Sequence, residues 1–191
     1  MALPKNIKLP KVSGKMKMVL FAGAMAVVVP KLAEKEGLVL HKYRDPVNVL
    51  TYCYGETDMK FLLNGKAITK KFCKDLLAAR AEGFADKVYA KLRVGVTENT
   101  LAAHTHFAYN IGINGYGRSR TLRLTNAGDM AGGCRAMIGW YTAGGRDCRI
   151  KANNCYGLIN RRNEEIDLCL KGTTEEEIEN YSAWIKADGD D

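Results

Sequence analysis

Apolar residues fall into three patterns along this chain, and each predicts a different kind of element. The first is a run. Residues 18–30 carry no charge, and Lys17 and Lys31 close the run at either end. The second is an alternation of β-branched and aromatic residues, Val49, Thr51, Tyr52 and Tyr54, which predicts a strand or hairpin arm. The third is helical. Phe72, Leu76, Leu77, Ala79, Phe84, Val88 and Leu92 recur on one face, predicting a long amphipathic helix with Thr69 as its N-cap.

Breakers divide the rest. Pro30 stands where a new short helix can start, and Gly37 ends that helix soon after Glu36. Asp45–Pro–Val–Asn48 reads as a turn with Pro46 in its second position and Asn48 tolerating positive φ; residues 64–67 read as another. Residues 97–112 predict a helix ending near Gly112. Residues 119–145 predict two more, split at 126–128 with Asp129 near the second cap. Residues 156–172 predict a last helix ending at Gly172. A small β region followed by helices is an α+β chain.

The length of 191 residues suits one domain with a real core, and 47% hydrophobic with 26% charged residues is globular composition. The net charge of +8 is unevenly placed. Lys5, Lys8, Lys11, Lys15 and Lys17 open the chain without an acid. From Thr173 onward, seven acids face Lys186 alone. The basic body suits a polyanionic partner: nucleic acid, an anionic membrane or an acidic wall polymer. The acidic segment reads as a solvated helix, or as one that docks on the basic body.

The apolar run admits three readings. As a helix it spans roughly 20 Å against a bilayer core of about 30 Å, and Ala22, Gly23, Ala24 and Ala26 dilute it. It can be a marginal uncleaved anchor with its lysine-rich flank in the cytoplasm, a signal peptide cut at Ala-Met-Ala, or a core helix. Cys53, Cys73, Cys134, Cys148, Cys155 and Cys169 contain no C-x-x-C pair, which disfavours zinc. Export would make them disulfides. His104 and His106, two apart on a helix, point to different faces and read as structural, as does His41; Trp140 reads as core.

Glu36, Asp45 and Thr51 carry the candidate chemistry. Glycoside cleavage needs one carboxylic acid to protonate the leaving oxygen and a second carboxylate across the sugar; a hydroxyl beside the second acid can orient water. The pattern Glu36-x8-Asp45-x5-Thr51, followed by Cys53-Tyr-Gly, resembles the catalytic motif of the phage-type lysozymes, the endolysins of glycoside hydrolase family 24. The segments "FAYNIGINGYGRSRTLRLTNAGD", Trp140 with Gly144 and Gly145, and "GLINRRNEE" extend the resemblance over residues 32–172.

The resemblance implies a two-lobed fold, in which a β-hairpin lobe and a helical lobe are joined by the long helix. It implies muramidase activity on peptidoglycan, of the inverting kind, with Glu36 as acid, Asp45 as base or electrostatic partner and Thr51 positioning water. Arg161 would lie near Glu36, and Asn110 would line the cleft. Two residues depart from the family pattern. Asn48 stands where Gly is common, and Glu56 stands where His is common; that third acid would repel Asp45 or face water. A subset of the family begins with an uncleaved signal-anchor-release segment, which residues 18–30 resemble. The chain then divides into a tether at 1–30, a catalytic body at 31–172 and an acidic tail at 173–191. It would work at the periplasmic side of the host inner membrane as a monomer, without cofactor, metal or nucleic acid. By position in such an exported chain, Cys53 would pair with Cys73, Cys134 with Cys169, and Cys148 with Cys155.

Overall fold

The computed structural model describes residues 7–45, 48–62 and 67–188, with Ala187 and Asp188 as backbone only. The apolar run lies inside one helix, α1 (Gly14–Glu36). The break expected at Pro30 does not occur. Proline removes one backbone hydrogen bond and crowds the preceding turn, but the helix carries buried residues on both sides of it, with Val28 and Leu32 both fully enclosed. Tertiary packing therefore overrides the local break. Leu20, Ala24, Val28 and Leu32 recur every fourth position and are all at zero exposure. They form the row along which α1 packs on the later helices.

Strands β1 (Val39–Arg44) and β2 (Leu50–Cys53) form an antiparallel hairpin, with Tyr43 opposite Thr51, Arg44 opposite Leu50 and a register irregularity between Val39 and Tyr43. Asn48 sits at φ 66°, as its turn position anticipates, and its N–H donates to Asp45 O at 2.9 Å. Pro46 and the turn expected at 64–67 lie outside the described residues, apart from Ala67. Helix α2 (Lys70–Lys91) is capped by Thr69, whose side chain accepts from Phe72 N. At about 1.5 Å per residue it runs some 33 Å from the hairpin into the helical lobe.

Helix α3 (Glu98–Arg118) breaks its regular course at Gly112, φ 76° and ψ 152°, where the sequence places its end, but resumes for a further turn. Then come α4 (Arg120–Asn126), α5 (Met130–Arg135) capped by Asp129, a two-residue hairpin β3 (Thr142–Ala143) and β4 (Arg146–Asp147), and α6 (Gly157–Lys171). The small hairpin is absent from the sequence reading. Its strands are too short for alternation to register, and only Gly144 and Gly145, both at positive φ, mark the turn.

Helix α6 is not the last. Helix α7 (Glu175–Asp188) follows, and the solvated reading of the acidic segment is incomplete. One face carries Ile178, Tyr181, Trp184 and Ile185 onto the core, while Glu175, Glu176 and Glu179 face water. Tyr181 is buried, and its hydroxyl donates to Pro10 O at 2.8 Å. The segment docks through apolar spacing rather than charge. Residues 9–12, ahead of α1, are clamped in turn: Leu9 bridges Gly95, Lys11 donates to Tyr89 O and Leu92 O, and Val12 N donates to the Tyr89 hydroxyl.

Disulfides join Cys53 to Cys73, Cys134 to Cys169 and Cys148 to Cys155. The first ties the hairpin to α2. The second ties α5 to α6.

Candidate active site

Glu36 is the last residue of α1, one turn beyond Leu32 in the same row. Burial of that row therefore sets the direction in which the carboxylate leaves the helix. Two ion pairs of opposite polarity pin this end to α6. Arg161 Nη2 lies 3.0 Å from Glu36 Oε1, and Lys35 Nζ lies 2.8 Å from Glu164. Arg161 and Glu164 are three apart and share a face of α6, so adjacent residues of α1 each meet a counter-charge. The Glu164 hydrogen bond is the chief reason that the Lys35 pKa is raised.

Asp45 and Thr51 meet through the backbone of one residue, Val49. Val49 N donates to Asp45 Oδ1 at 2.8 Å, Val49 O accepts from Asp45 N at 3.0 Å, and Thr51 Oγ1 donates to the same Val49 O at 3.0 Å. The hairpin thus holds the carboxylate and the hydroxyl in fixed relation at its mouth. Thr51 is almost fully buried and Asp45 partly exposed.

Glu56 does not face water. Its side chain is 9% exposed and forms a two-pronged pair with Arg80 of α2: Nε to Oε2 at 2.5 Å and Nη2 to Oε1 at 2.8 Å. Thr57 N and Asp58 N also donate to it. Burial pushes its pKa up, but the Arg80 hydrogen bonds and the backbone donors outweigh this, and the net shift is downward. The expectation of a solvated acid failed because its partner lies 24 residues on, invisible to local spacing.

Between these two acid–arginine pairs stands Tyr109 of α3, which the sequence reading passed over. Burial pushes its hydroxyl up to about 12, and the charges of Glu36 and Glu56 add to this against Arg80 and Arg161. It packs against Phe84 with ring centroids 5.0 Å apart. Its place two residues after Phe107 in the quoted α3 segment was the available signal.

Behind Arg161 lies a buried polar cluster. Glu165 receives His106 Nδ1 at 2.6 Å, pairs with Arg162, and lies 3.5 Å from Arg161 Nε, close enough for attraction but not aligned as a hydrogen bond. Arg162 also donates to Asn110 Oδ1 and to Trp140 O. Asn110 therefore serves as an anchor for Arg162, while remaining exposed. His104 is fully buried with Nδ1 2.8 Å from the Tyr116 hydroxyl. Among the described residues no cluster of His, Cys, Asp or Glu could hold a metal.

A carboxylate on a helix end, held by arginine, in a chain whose hairpin carries a second carboxylate and a hydroxyl, supplies the groups that a glycosidase cleaving through water uses. The comparisons give the family. The phage lysozyme profile matches residues 33–165, and the chain belongs to that family. The SAR-endolysin of Escherichia phage 933W is 37% identical over 154 residues, covering 79% of this chain and 87% of its own. A probable prophage lysozyme of Escherichia coli K12 is 36% identical over the same shares. Among solved structures, an endolysin from Escherichia coli O157:H7 phage FAHEc1 superimposes with TM-score 0.61 at 31% identity, covering 78% of this chain and 90% of that one. The muramidase domain of SpmX from Asticaccaulis excentricus gives 0.63 at 27%, over 78% and 95%.

Proposed function

We propose that this lysozyme is an endolysin that hydrolyses the β-1,4 bond between N-acetylmuramic acid and N-acetylglucosamine in peptidoglycan, and that it reaches the wall by release from the inner membrane. Glu36 protonates the glycosidic oxygen. Asp45 takes a proton from water on the opposite face of the sugar, and Thr51 orients that water. Arg161 holds the Glu36 carboxylate in place. Acid, base and water suffice, so no cofactor enters.

The observation that carries the regulatory half is that the apolar run and the catalytic acid share one helix. Helix α1 is long and apolar enough to cross a bilayer, and its Leu20–Ala24–Val28–Leu32 row is fully enclosed here. Membrane residence and a docked α1 therefore exclude each other. With residues 18–30 in lipid, the N-terminus in the cytoplasm and the body in the periplasm, the pairs that fix Glu36 on α6 are not made in this form. Extraction and docking make them. Cleavage at Ala26 would split α1 and discard Leu20 and Ala24 from the core, which disfavours a signal peptide. Residues 1–30 serve as the tether and 31–172 as the catalytic body. The acidic segment from Thr173 meets the N-terminal strap through Tyr181 of α7.

Loss of turbidity of purified Gram-negative peptidoglycan tests the catalytic half. Glu36→Gln is expected to slow clearing at least about 100-fold, the lower range for a general acid. Equal clearing by both chains would remove Glu36 from the mechanism. Equal inactivity of two folded, oxidised chains would leave a wall-binding protein of lysozyme fold.

A further inference from the structure

The far end of α2 holds a second concavity, which the muramidase reading does not use. It is open, about 770 Å³ in volume, and lies where the end of α2, the end of α3 and helix α4 meet. Lys91, Arg93, Arg118 and Arg123 line it, and no acidic residue does. All four side chains are exposed, and none has an ion-pair partner among the described residues. Four other arginines are neutralised, Arg80 by Glu56, Arg149 by Asp147, Arg161 by Glu36 and Arg162 by Glu165; Arg44, Arg120, Arg135 and Arg146 have no ion-pair partner among the described residues either, but none of them lines this concavity.

The floor is built rather than incidental. The Asn126 amide donates to Lys91 O at 3.1 Å and accepts from Arg93 N at 2.7 Å, locking the α2 end against α4. Leu122 supplies a buried apolar base. Lys91 lies across Gly117, where a Cβ would be in van der Waals contact with its ammonium. Four like charges held around a concavity repel one another and focus a positive potential into it. Guanidinium forks match phosphate oxygens two at a time.

We propose that this concavity binds phosphate esters, and that its ligand is the headgroup of an anionic phospholipid. The lipid source follows from the neighbouring strap. Residues 9–12, which lead into α1, dock on the same end of α2 through Leu9 to Gly95 and Lys11 to Leu92 O. The pocket and the strap, with Lys8 beside it and Lys11 within it, therefore share one end of the molecule, about 27 Å along α2 from Cys73 and the hairpin. That end can rest on a leaflet while the hairpin faces away. The inference does not depend on the catalytic assignments.

The test is co-sedimentation of the full oxidised chain with vesicles of phosphatidylcholine, with and without a third of phosphatidylglycerol. The pocket variant is Arg93→Gln, Arg118→Gln, Arg123→Gln. The control removes three exposed charges elsewhere, Lys70→Gln, Lys74→Gln, Lys171→Gln, and both retain α1. The pocket variant is expected to bind anionic vesicles about 100-fold more weakly than the parent, each basic residue at such a surface contributing roughly fivefold. The control should change by only a few-fold. The pocket variant is expected to melt no lower than the parent, because a repulsion has been removed. Should the triple variant fail to fold, Arg118→Gln alone carries the comparison at about fivefold. A parallel titration with inorganic phosphate at constant ionic strength separates the sources. If phosphate raises the melting temperature of the parent but not of the pocket variant, and vesicle binding does not discriminate, the site takes phosphate from solution rather than from lipid. Equal loss by pocket and control variants, or no discrimination in either arm, overturns the proposal and leaves general charge attraction.

Discussion

In the proposed release from the membrane, two environments would compete for one face of α1, and a single methylene-level change measures that competition. Ala24 is fully enclosed against the helical lobe, whereas Ala26, two residues on, is exposed. Replacing either by leucine adds three carbon groups to the tether. At about 0.8 kcal/mol per buried CH2, lipid gains about 2.4 kcal/mol in both variants. That is roughly a 60-fold shift toward the tethered form. Ala24→Leu carries a second penalty, because the docked helix has no room for the added carbons. Overpacking a filled core costs about 1–3 kcal/mol. The combined bias is about 3.4–5.4 kcal/mol, or roughly 300- to 10,000-fold. The neighbouring Gly23 sharpens the expectation: a Cβ there would overlap the Glu98 carboxylate, so this part of α1 approaches α3 closely. The assay is fractionation of membrane and soluble protein over time, with lysis onset as the functional readout. Ala26→Leu should delay release, and Ala24→Leu should nearly abolish it. Equal release by the two variants would refute the claim that docking of the buried row drives extraction.

Other outcomes follow from the core. Glu165→Leu leaves Arg162, already lowered in pKa by burial, without its carboxylate; urea denaturation should show a loss of about 3–5 kcal/mol, and a loss under 1 kcal/mol would mean that the cluster relaxes freely. Burial depresses His104 from 6.5 to about 4. Between those values the unfolded chain binds a proton that the folded chain refuses, so stability falls as pH drops from about 6.5 to about 4, by up to about 3 kcal/mol, and levels off below. His104→Gln should flatten that slope in thermal melts across the same window; an unchanged slope would assign it to other groups. Tyr181→Phe removes the bond to Pro10 O and is expected to cost about 1 kcal/mol, with faster amide exchange in the strap at residues 9–12 as the local signature.

Local pattern was enough for the elements whose reasons are local. Thr69 and Asp129 cap the helices that they precede, because a side-chain oxygen three residues before a free N–H needs no tertiary context. Asn48 takes positive φ for a reason internal to its turn. The order of Glu36, Asp45 and Thr51, with the segments that resemble phage lysozymes, was sufficient to name the family and the fold. What the chain alone left open was decided by distance. Pro30 reads as a boundary until Val28 and Leu32 are buried on either side of it. Glu56 reads as a stray acid until Arg80 is brought to 2.5 Å from it. Arg161 joins Glu36 from 125 residues away, and the acidic segment reads as either solvated or docked until Tyr181 finds Pro10 from 171 away. One-dimensional spacing carries propensity, capping and periodicity. Counter-charges, close approach and the choice between lipid and core for α1 depend on which surfaces meet, and only the folded chain brings those surfaces together.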